Sequence, residues 1–310
     1  MNGFHELSIV VPCAYEDRMD DIIHSVSLLI EFNPNSVIMV IIDRNEYLYK
    51  QLSKHKIINN QIVKLTLMRI STGLSSVRNF AVNNCNTKYI AFIDDDALPT
   101  RNWAKNLLTT MDRYDDAIGA GGPILKLMSI SQSRTLPYPL LWIWGCTYFL
   151  FNNSKIIKVT NNFGSNMIFE TQKLIHFKFP EDLASTKFSH QGGEELYICQ
   201  KLKKKFNGHV YFNPKAIVYH RIYNKRYHLP YIFNRIYYEA VSKSRLKHKY
   251  SMSSPNSNEL LRILSLHYLP FLFSKLIKLQ NIRQVFYELG ILTMFSIFSL
   301  IGLIKGRNTY

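Results

Sequence analysis

The sequence has few cysteines, and none of them stands in a metal-binding or disulfide pattern. The 310 residues contain four, without a CxxC pair: Cys13, Cys85, Cys146 and Cys199. This spacing excludes a zinc ribbon and a disulfide framework and predicts reduced thiols in a cytosol. The N-terminus also lacks a basic segment followed by a long apolar stretch, so "LSIVVP" (7–12) is predicted to be a strand rather than part of a signal peptide.

Charged residues are also scarce, and one sign dominates. They make up 19% of the chain against 47% apolar residues, which excludes a disordered protein. Lys and Arg number 38 against 22 Asp and Glu, a net charge of +16 that indicates an anionic partner: nucleic acid, nucleotide phosphates or acidic lipid headgroups. The basic run "KLKKK" (201–205) is typical of a solvated helix face, and no nucleic-acid-binding motif accompanies it, so we expect no nucleic acid partner.

The first half of the chain alternates strands with helices. Short apolar runs predict strands at 7–12, 36–43, 64–70 and 88–94, and apolar residues spaced at three and four predict helices at 20–32, within 71–85 and at 102–114. This alternation predicts an α/β fold with a mainly parallel central sheet that is covered on both faces.

Carboxylates stand at the ends of two of these predicted strands. Asp43 ends the second strand, and Asp94, Asp95 and Asp96 end the fourth in "FIDDDALP" (92–99). In parallel sheets ligands bind beyond the carboxyl ends of the strands, where we expect these acids to be exposed. Hard cations such as Mg²⁺ and Mn²⁺ prefer carboxylate oxygens, so metal binding or acid–base chemistry is favoured. The alternative is that the acids serve a turn or a helix N-cap.

A second acidic pair, Glu194 and Glu195, follows two glycines and begins a predicted helix. A carboxylate suits the removal of a proton from an attacking hydroxyl group, and repulsion within the pair would raise the pKa of one member. The alternative is a solvated pair at a helix N-terminus, where acids are favoured. His220 in "VYH" is, on its own, more often a structural histidine.

Taken in order, these segments resemble the inverting glycosyltransferases of family 2, which have the glycosyltransferase A fold. The resemblance covers about 7–222 and rests on "SIVVP", a strand ending in Asp43, "TGLSSVRNFAVNNCNTKYIAFIDDDALPTRNW" and "GGEELYICQKLKKKFNGHVYFNPKAIVYH". It implies a hexosyltransferase-like enzyme of glycan biosynthesis that uses a nucleotide-sugar donor and a divalent cation, Mn²⁺ or Mg²⁺.

The resemblance also implies roles on the donor side. Four residues are assigned to donor binding: Asp43, Arg78, Asp94 and Asp95. Three residues are assigned to the metal: Asp96, Asp94 and His220. The stretch after "VVP" is "CAYE", where the family usually has Thr-Tyr-Asn, so the donor contacts around 13–16 differ from the family pattern.

On the acceptor side, the resemblance assigns Gly164, Ser165 and Asn166 in "FGSNMIF" to the lining of the acceptor site. It assigns catalysis to Glu195 and Glu194, with the second carboxylate as the base. The family usually has Glu-Asp at this pair, so the base of this chain is one methylene longer.

The C-terminal part has a different character. The segment 229–250 interleaves Arg and Lys with aromatic residues, which fits either a helix at a membrane surface or an amphipathic helix that covers the catalytic domain. The sixteen residues 289–304 carry no charge, slightly short of the about twenty that a span requires, and a hairpin with 264–279 is an equal alternative. The aromatic stretch 138–151 is more typical of core packing than of an acceptor or lipid surface.

We therefore predict a catalytic domain at 1–228 and a membrane-associated helical tail at 229–310. The hypothesis is an inverting, metal-dependent glycosyltransferase that acts at a membrane surface. Its acceptor is expected to be a lipid-linked glycan, a polyprenyl phosphate or a polysaccharide. Its catalytic domain is expected in the cytoplasm. The alternatives are a nucleotidyltransferase and a non-enzymatic basic protein that binds membranes or nucleic acid.

Overall fold

The computed structural model describes residues 6–71, 73–127, 136–147, 155–183, 191–252 and 260–307. These residues fall into two compact units. Unit 1 takes the described residues within Met1–Leu127, Leu150–Phe188 and Glu194–Arg221. Unit 2 takes those within Met128–Phe149, Ser189–Gly193 and Ile222–Tyr310.

Unit 1 is built on an eight-stranded sheet and a three-stranded sheet. The strands in chain order are β1 (Leu7–Cys13), β2 (Val37–Asp43), β3 (Val63–Met68), β4 (Tyr89–Phe92), β5 (Ala97–Pro99), β6 (Ala117–Gly121), β7 (Ile124–Lys126), β8 (Ile157–Val159), β9 (Met167–Glu170), β10 (His209–Phe212) and β11 (Val218–His220). The large sheet has the order β3-β2-β1-β4-β9-β6-β10-β8, and the small sheet has the order β5-β11-β7.

The large sheet is mainly parallel, as the sequence predicts. β3, β2, β1 and β4 run parallel, β9 enters antiparallel between β4 and β6, and β10 is parallel to β6 and antiparallel to β8. The four predicted strands are confirmed as β1 to β4. The last of them ends at Phe92 rather than Asp94, because the Ala97 N–H donates to the Asp94 carbonyl 3.1 Å away and closes a turn.

Helices cover both faces of this sheet. The helices of unit 1 are α1 (Met19–Phe32), α2 (Glu46–Ser53), α3 (Leu74–Asn83), α4 (Trp103–Arg113), α5 (Thr171–Leu174) and α6 (Glu194–Phe206). Successive strand side chains point to opposite faces, so Ile9 and Val11 of β1 join a core with α1, α2 and α4, whereas Val10 joins a core with α3 and α6. Both cores are apolar, which explains the continuous apolar runs of the central strands.

Unit 2 is helical. Its long helices are α7 (Leu229–His248), α8 (Leu260–Ile277) and α9 (Ile282–Arg307). α7 packs closely on α9, where Gly302 faces the Tyr237 carbonyl and Ala240, and the rings of Phe233 and Phe298 stack 4.9 Å apart. α7 buries Ile232, Ile236, Val241 and Leu246, so this part of its apolar surface is packed.

α8 and α9 are both long and apolar enough to cross a membrane. α9 extends beyond the predicted uncharged run at both ends, and its one acid, Glu288, is buried and accepts hydrogen bonds from Tyr268 and Gln284. At about 1.5 Å per residue, its 26 residues exceed the roughly 30 Å of a bilayer core. Large apolar side chains of both helices are exposed, among them Phe273, Ile277, Phe286, Leu300 and Ile304.

The aromatic stretch of the sequence contributes to the core of unit 2. Tyr138–Trp144 forms a 3-10 helix that buries Leu140, Trp142, Ile143 and Trp144, which confirms core packing for this part. Residues 148–151 of the stretch lie outside the described residues.

Candidate active site

The acids after β4 meet His220 at the end of β11. β11 pairs with β5, and His220 lies opposite Ala97, the residue that follows the three aspartates. The His220 Nε2 atom is therefore 3.0 Å from Asp96 Oδ1, and one ligand atom from each of Asp94, Asp96 and His220 lies within 4.8 Å of the others. Strand pairing thus brings together residues that are more than a hundred positions apart in the sequence.

An arginine that sequence reasoning missed completes this cluster. Arg18 Nη1 lies 2.7 Å from Asp95 Oδ1 and 3.1 Å from Asp96 Oδ2. It sits in a short 3-10 turn beyond the carboxyl end of β1, the central neighbour of β2 and β4. A basic residue at that strand end was the available signal, because the ends of parallel strands share one edge of the sheet.

The expectation of exposed acids at this strand end is wrong for two of the three. Asp95 and Asp96 are buried, because Arg18 and His220 lie against their carboxylates. Burial raises the pKa of Asp95 to about 7, although the charge of Arg18 lowers it. Burial and the neighbouring Asp96 also raise the pKa of Asp94. Burial and the mutual repulsion of the acids therefore disfavour their charged forms, although Arg18 lies against two of them.

This donor set fits a divalent cation. Asp94 and Asp96 offer carboxylate oxygens and His220 offers an imidazole nitrogen, and the three converge on one point. Mn²⁺ accepts both types of ligand, and Mg²⁺ prefers the oxygens. A cation would also offset the charge that raises the pKa values of these acids.

A second charged cluster lies at the start of α6. Arg78 of α3 is buried, and its Nη1 atom lies 2.9 Å from Glu194 Oε1 and 3.5 Å from Glu195 Oε1. The Glu194 side chain is 3% exposed and the Glu195 side chain 17%. Glu195 is therefore the carboxylate that a substrate can approach, and Glu194 is the one that the interior holds.

Burial sets the protonation of this pair. Burial and the charge of Glu195 raise the pKa of Glu194 to about 8, although Arg78 lowers it. Within the described residues, Glu194 Oε2 has no hydrogen-bond partner. One guanidinium thus faces two carboxylates, so burial favours a proton on Glu194, and Glu195 is the accessible group. Arg78 also lowers the pKa of Asp94, so the two clusters interact electrostatically.

The predicted acceptor-side segment lies against this second cluster. A side chain at Gly164 would overlap both Arg78 Nη2 and Glu195 Oε1, so glycine is required for the close approach. Asn166 is fully buried; it accepts from Trp103 Nε1 at 2.8 Å and donates to the carbonyls of Pro123 and Ala216. Its contacts favour holding the segment in place, and Ser165 beside it is also buried.

Asp43 lies apart from both clusters in its contacts. It ends β2, two strands from β4 across the sheet, and its carboxylate is bound by the neighbouring Arg44 at 2.9 Å. It ends a parallel strand of the same sheet, so it stands at the same sheet edge as the other strand-end acids.

Comparisons with known proteins identify a family and a relative that this chain resembles. A model of the family described as glycosyl transferase family 2 matches residues 8–177. The glucosyl-dolichyl phosphate glucuronosyltransferase of Haloferax volcanii is 22% identical over 279 residues, which cover 89% of this chain and 88% of that protein.

Among solved structures, the crystal structure of GalNAc-T7 with UDP, GalNAc and Mn²⁺ has a TM-score of 0.57 at 15% identity. The match covers 84% of this chain and 58% of that one, so this chain spans less than two thirds of its length. This likeness shows the fold alone, and it confirms the predicted glycosyltransferase A fold.

The family match includes the strand-end acids and Arg78 but stops before Glu194, Glu195 and His220, which reach the site through the geometry described above. It spans more than half of the 310 residues, and on this ground the chain belongs to glycosyl transferase family 2.

Proposed function

We propose that this glycosyltransferase moves a sugar from a nucleotide-sugar donor to a lipid-linked acceptor at a membrane, with inversion at the anomeric carbon and with the help of a divalent cation. The observation that carries the proposal is the position of Arg78. It binds Glu194 and Glu195 on one side, and its charge lowers the pKa of Asp94 on the other. This arrangement supports a donor-binding group and a base that act on one substrate pair.

On the donor side, Asp94, Asp96 and His220 would hold Mn²⁺ or Mg²⁺. When bound, the cation would neutralise negative charge on the diphosphate leaving group. Asp43 and Asp95 are proposed to contact the rest of the nucleotide. Asp95 would do so from its ion pair with Arg18, and the guanidinium offers further donors to phosphate oxygens.

On the acceptor side, Glu195 is proposed as the base. Its carboxylate would take the proton of the acceptor hydroxyl while that oxygen attacks the anomeric carbon from the face opposite the leaving nucleotide, which inverts the configuration. Gly164 lies directly against Glu195 Oε1, and we propose that this segment lines the place where the hydroxyl binds. Glu194, protonated near neutral pH, would avoid a second negative charge next to the base.

For the acceptor, we favour a polyprenyl phosphate that already carries a sugar over a polysaccharide. The Haloferax volcanii relative is named for a dolichyl phosphate that carries glucose. The exposed apolar faces of α8 and α9 suit a protein that meets such a substrate at the bilayer. We keep the division into a catalytic domain at 1–228 and a membrane-associated tail at 229–310.

We place the catalytic domain in the cytoplasm. All four cysteines lie in the described part of the chain, and they are buried and unpaired, which suits a reducing compartment.

The test is a panel of nucleotide sugars with detergent-solubilised protein, Mn²⁺ or Mg²⁺, and glucosylated or bare polyprenyl phosphate. We expect release of a nucleoside diphosphate with one donor, and a product whose anomeric configuration in the NMR spectrum is opposite to that of the donor. Release of pyrophosphate would instead indicate nucleotidyl transfer. A retained configuration, or full activity in excess chelator, would overturn the inverting or the metal-dependent part.

Membrane attachment is tested by sedimentation with vesicles. We expect the full-length protein to stay bound in high salt, because burial of the apolar faces of α8 and α9 is not screened as charge pairing is. A full-length protein that stays in solution without detergent or lipid would contradict this part of the proposal.

A further inference from the structure

The segment that precedes the candidate base is held by one face of α7. Gln191 Oε1 accepts a hydrogen bond of 2.6 Å from Arg245 Nη1. The Gly192 N–H donates to the Ser242 hydroxyl at 3.1 Å. Gly193 lies against the side chain of Leu246. Three successive residues therefore each contact the same helix.

Gly193 makes this contact close. Gly193 has φ +101°, a conformation that other residues rarely adopt, and a side chain there would come within 2.8 Å of Leu246 Cδ1. A side chain at Gly192 would reach Glu239 Oε2 and Arg235 Nη2, at 3.5 and 3.6 Å. The backbone of 191–193 thus lies against α7, held by two hydrogen bonds and the contact of Gly193.

The contacting residues of α7 form one stripe. Ser242 follows Glu239 by three residues, and Arg245 and Leu246 follow Ser242 by three and four, so these side chains lie on one side of the helix. Ser242 and Leu246 are buried. The Ser242 hydroxyl also donates to the Tyr238 carbonyl at 2.8 Å, which orients its oxygen as an acceptor for Gly192.

We propose that Ser242 and Arg245 are positioning residues for the base, an inference that rests on the role proposed for Glu195. Glu194 and Glu195 follow Gly193 directly and form the first turn of α6. Consecutive Cα atoms are a fixed distance of about 3.8 Å apart. The position of Glu195 therefore depends on the position of Gly193, two residues before it. A misplacement of about 1 Å at a reacting group can lower a rate by about 10²-fold.

The experiment uses full-length protein in detergent. The variants are Ser242→Ala, Arg245→Met, Gln191→Ala and the double variant of the last two. The matched control is Lys247→Met, the same loss of a cation at an exposed position of α7. We expect the first three variants to lower kcat by about tenfold or more, with the KM for donor and the melting temperature close to those of the control.

The double variant should lose no more than the worse single variant, because both changes remove one shared contact. Hydrogen exchange gives a second readout that needs no activity. Amides of Glu194–Tyr197 should exchange faster in the three single variants, and those of the last turn of α6 should not.

Unchanged kcat and unchanged exchange at 194–197 in Gln191→Ala and Arg245→Met would overturn the inference. A loss that tracks a lower melting temperature and a raised donor KM would also overturn it, because a merely structural contact would then explain everything. If the wild-type protein releases no nucleotide from any donor, the proposed function fails, and hydrogen exchange still decides whether α7 positions the start of α6.

Discussion

The two charged clusters of unit 1 both contain more carboxylates than arginines, but they differ in how that negative charge can be offset. The strand-end cluster sets three aspartates against Arg18, and the helix-start cluster sets two glutamates against Arg78. Each has more acids than its arginine can offset. Uncompensated charge inside a protein is costly, so each cluster needs a further positive charge or a proton.

The exposure of each cluster determines whether a proton or a cation can offset its surplus negative charge. Arg78, on α3, is 1% exposed and bound to the start of α6, where a proton on Glu194 would remove the surplus negative charge. Arg18 is 12% exposed, and three ligand atoms converge beside it. A metal cation can enter such a site. The comparison teaches that acid clusters with similar composition can serve a cation or a base, depending on burial and on the counter-ion.

The largest effect is expected when the strand-end cluster loses its central acid. Asp96→Asn keeps the shape of this buried side chain but removes a charged oxygen that faces His220 and Arg18. A metal ion contributes several kcal/mol to charge stabilisation, so transfer should fall by roughly 10³-fold. The measurement is turnover at saturating donor, together with Mn²⁺ binding by electron paramagnetic resonance.

The matched control for this change is Asp115→Asn, at an exposed turn after α4. It should leave turnover and Mn²⁺ binding at the wild-type level. Wild-type Mn²⁺ affinity in Asp96→Asn would remove Asp96 from the metal site, whatever its activity.

The next effect separates the two glutamates of the helix-start cluster. Glu195→Gln should lower kcat by about 10²-fold or more, the span of general-base catalysis, with donor binding little changed. Glu194→Gln should cost much less at pH 7, because Glu194 is already protonated there and glutamine is a neutral mimic of it. If Glu194→Gln shows the greater loss, the base is Glu194 and the comparison of exposures has misled us.

A pH series on stability sharpens the same contrast. The pKa of Glu194 is raised from 4.5 to about 8 on folding, so the folded state holds a proton that the unfolded state releases between these values. The contribution of Glu194 to the free energy of unfolding is therefore complete below pH 4.5. It is lost as the pH rises to 8, by no more than about 1.4 kcal/mol per pH unit. Glu194→Gln should therefore gain stability relative to wild type across this window. The measurement is the melting temperature of both proteins from pH 4.5 to 8. A constant difference between them over this range would contradict the raised pKa.

Much of the fold could be predicted from the sequence because it depends on local patterns. Four apolar runs alternate with three helical ones, and these became β1 to β4 and α1, α3 and α4. The acids after β4 could be placed at a sheet edge for the same reason. The irregular middle could not be resolved, because β9 enters the sheet antiparallel, and no local pattern fixes a pairing that distant.

The site was harder to predict, because its contacts join distant segments. The pairing of β11 with β5, which brings His220 to Asp96, is not written in either segment alone. Arg18 follows the stretch "CAYE", which matches no family motif. Its contact with Asp95 and Asp96 arises because β1 and β4 end at the same edge of the sheet. The hold of α7 on 191–193 depends on hydrogen bonds to backbone and amide groups, which leave no pattern of charge or hydrophobicity.

The smallest expected effect tests whether Arg18 and a cation compete. Both are attracted to the carboxylates of Asp95 and Asp96, so a bound metal should weaken the arginine contact and the arginine should weaken the metal. Arg18→Gln keeps a polar side chain without the charge, and it should bind Mn²⁺ more tightly by about fivefold, the low end of typical coupling between two sites. Arg101→Gln is the control, since Arg101 lies on the surface and pairs with Glu31. Mn²⁺ titration followed by paramagnetic resonance measures the affinity without turnover. Weaker Mn²⁺ binding by Arg18→Gln would show that the arginine organises the acids for the cation, and the strand-end cluster would then resemble the helix-start cluster, with its arginine as a fixed part of the site.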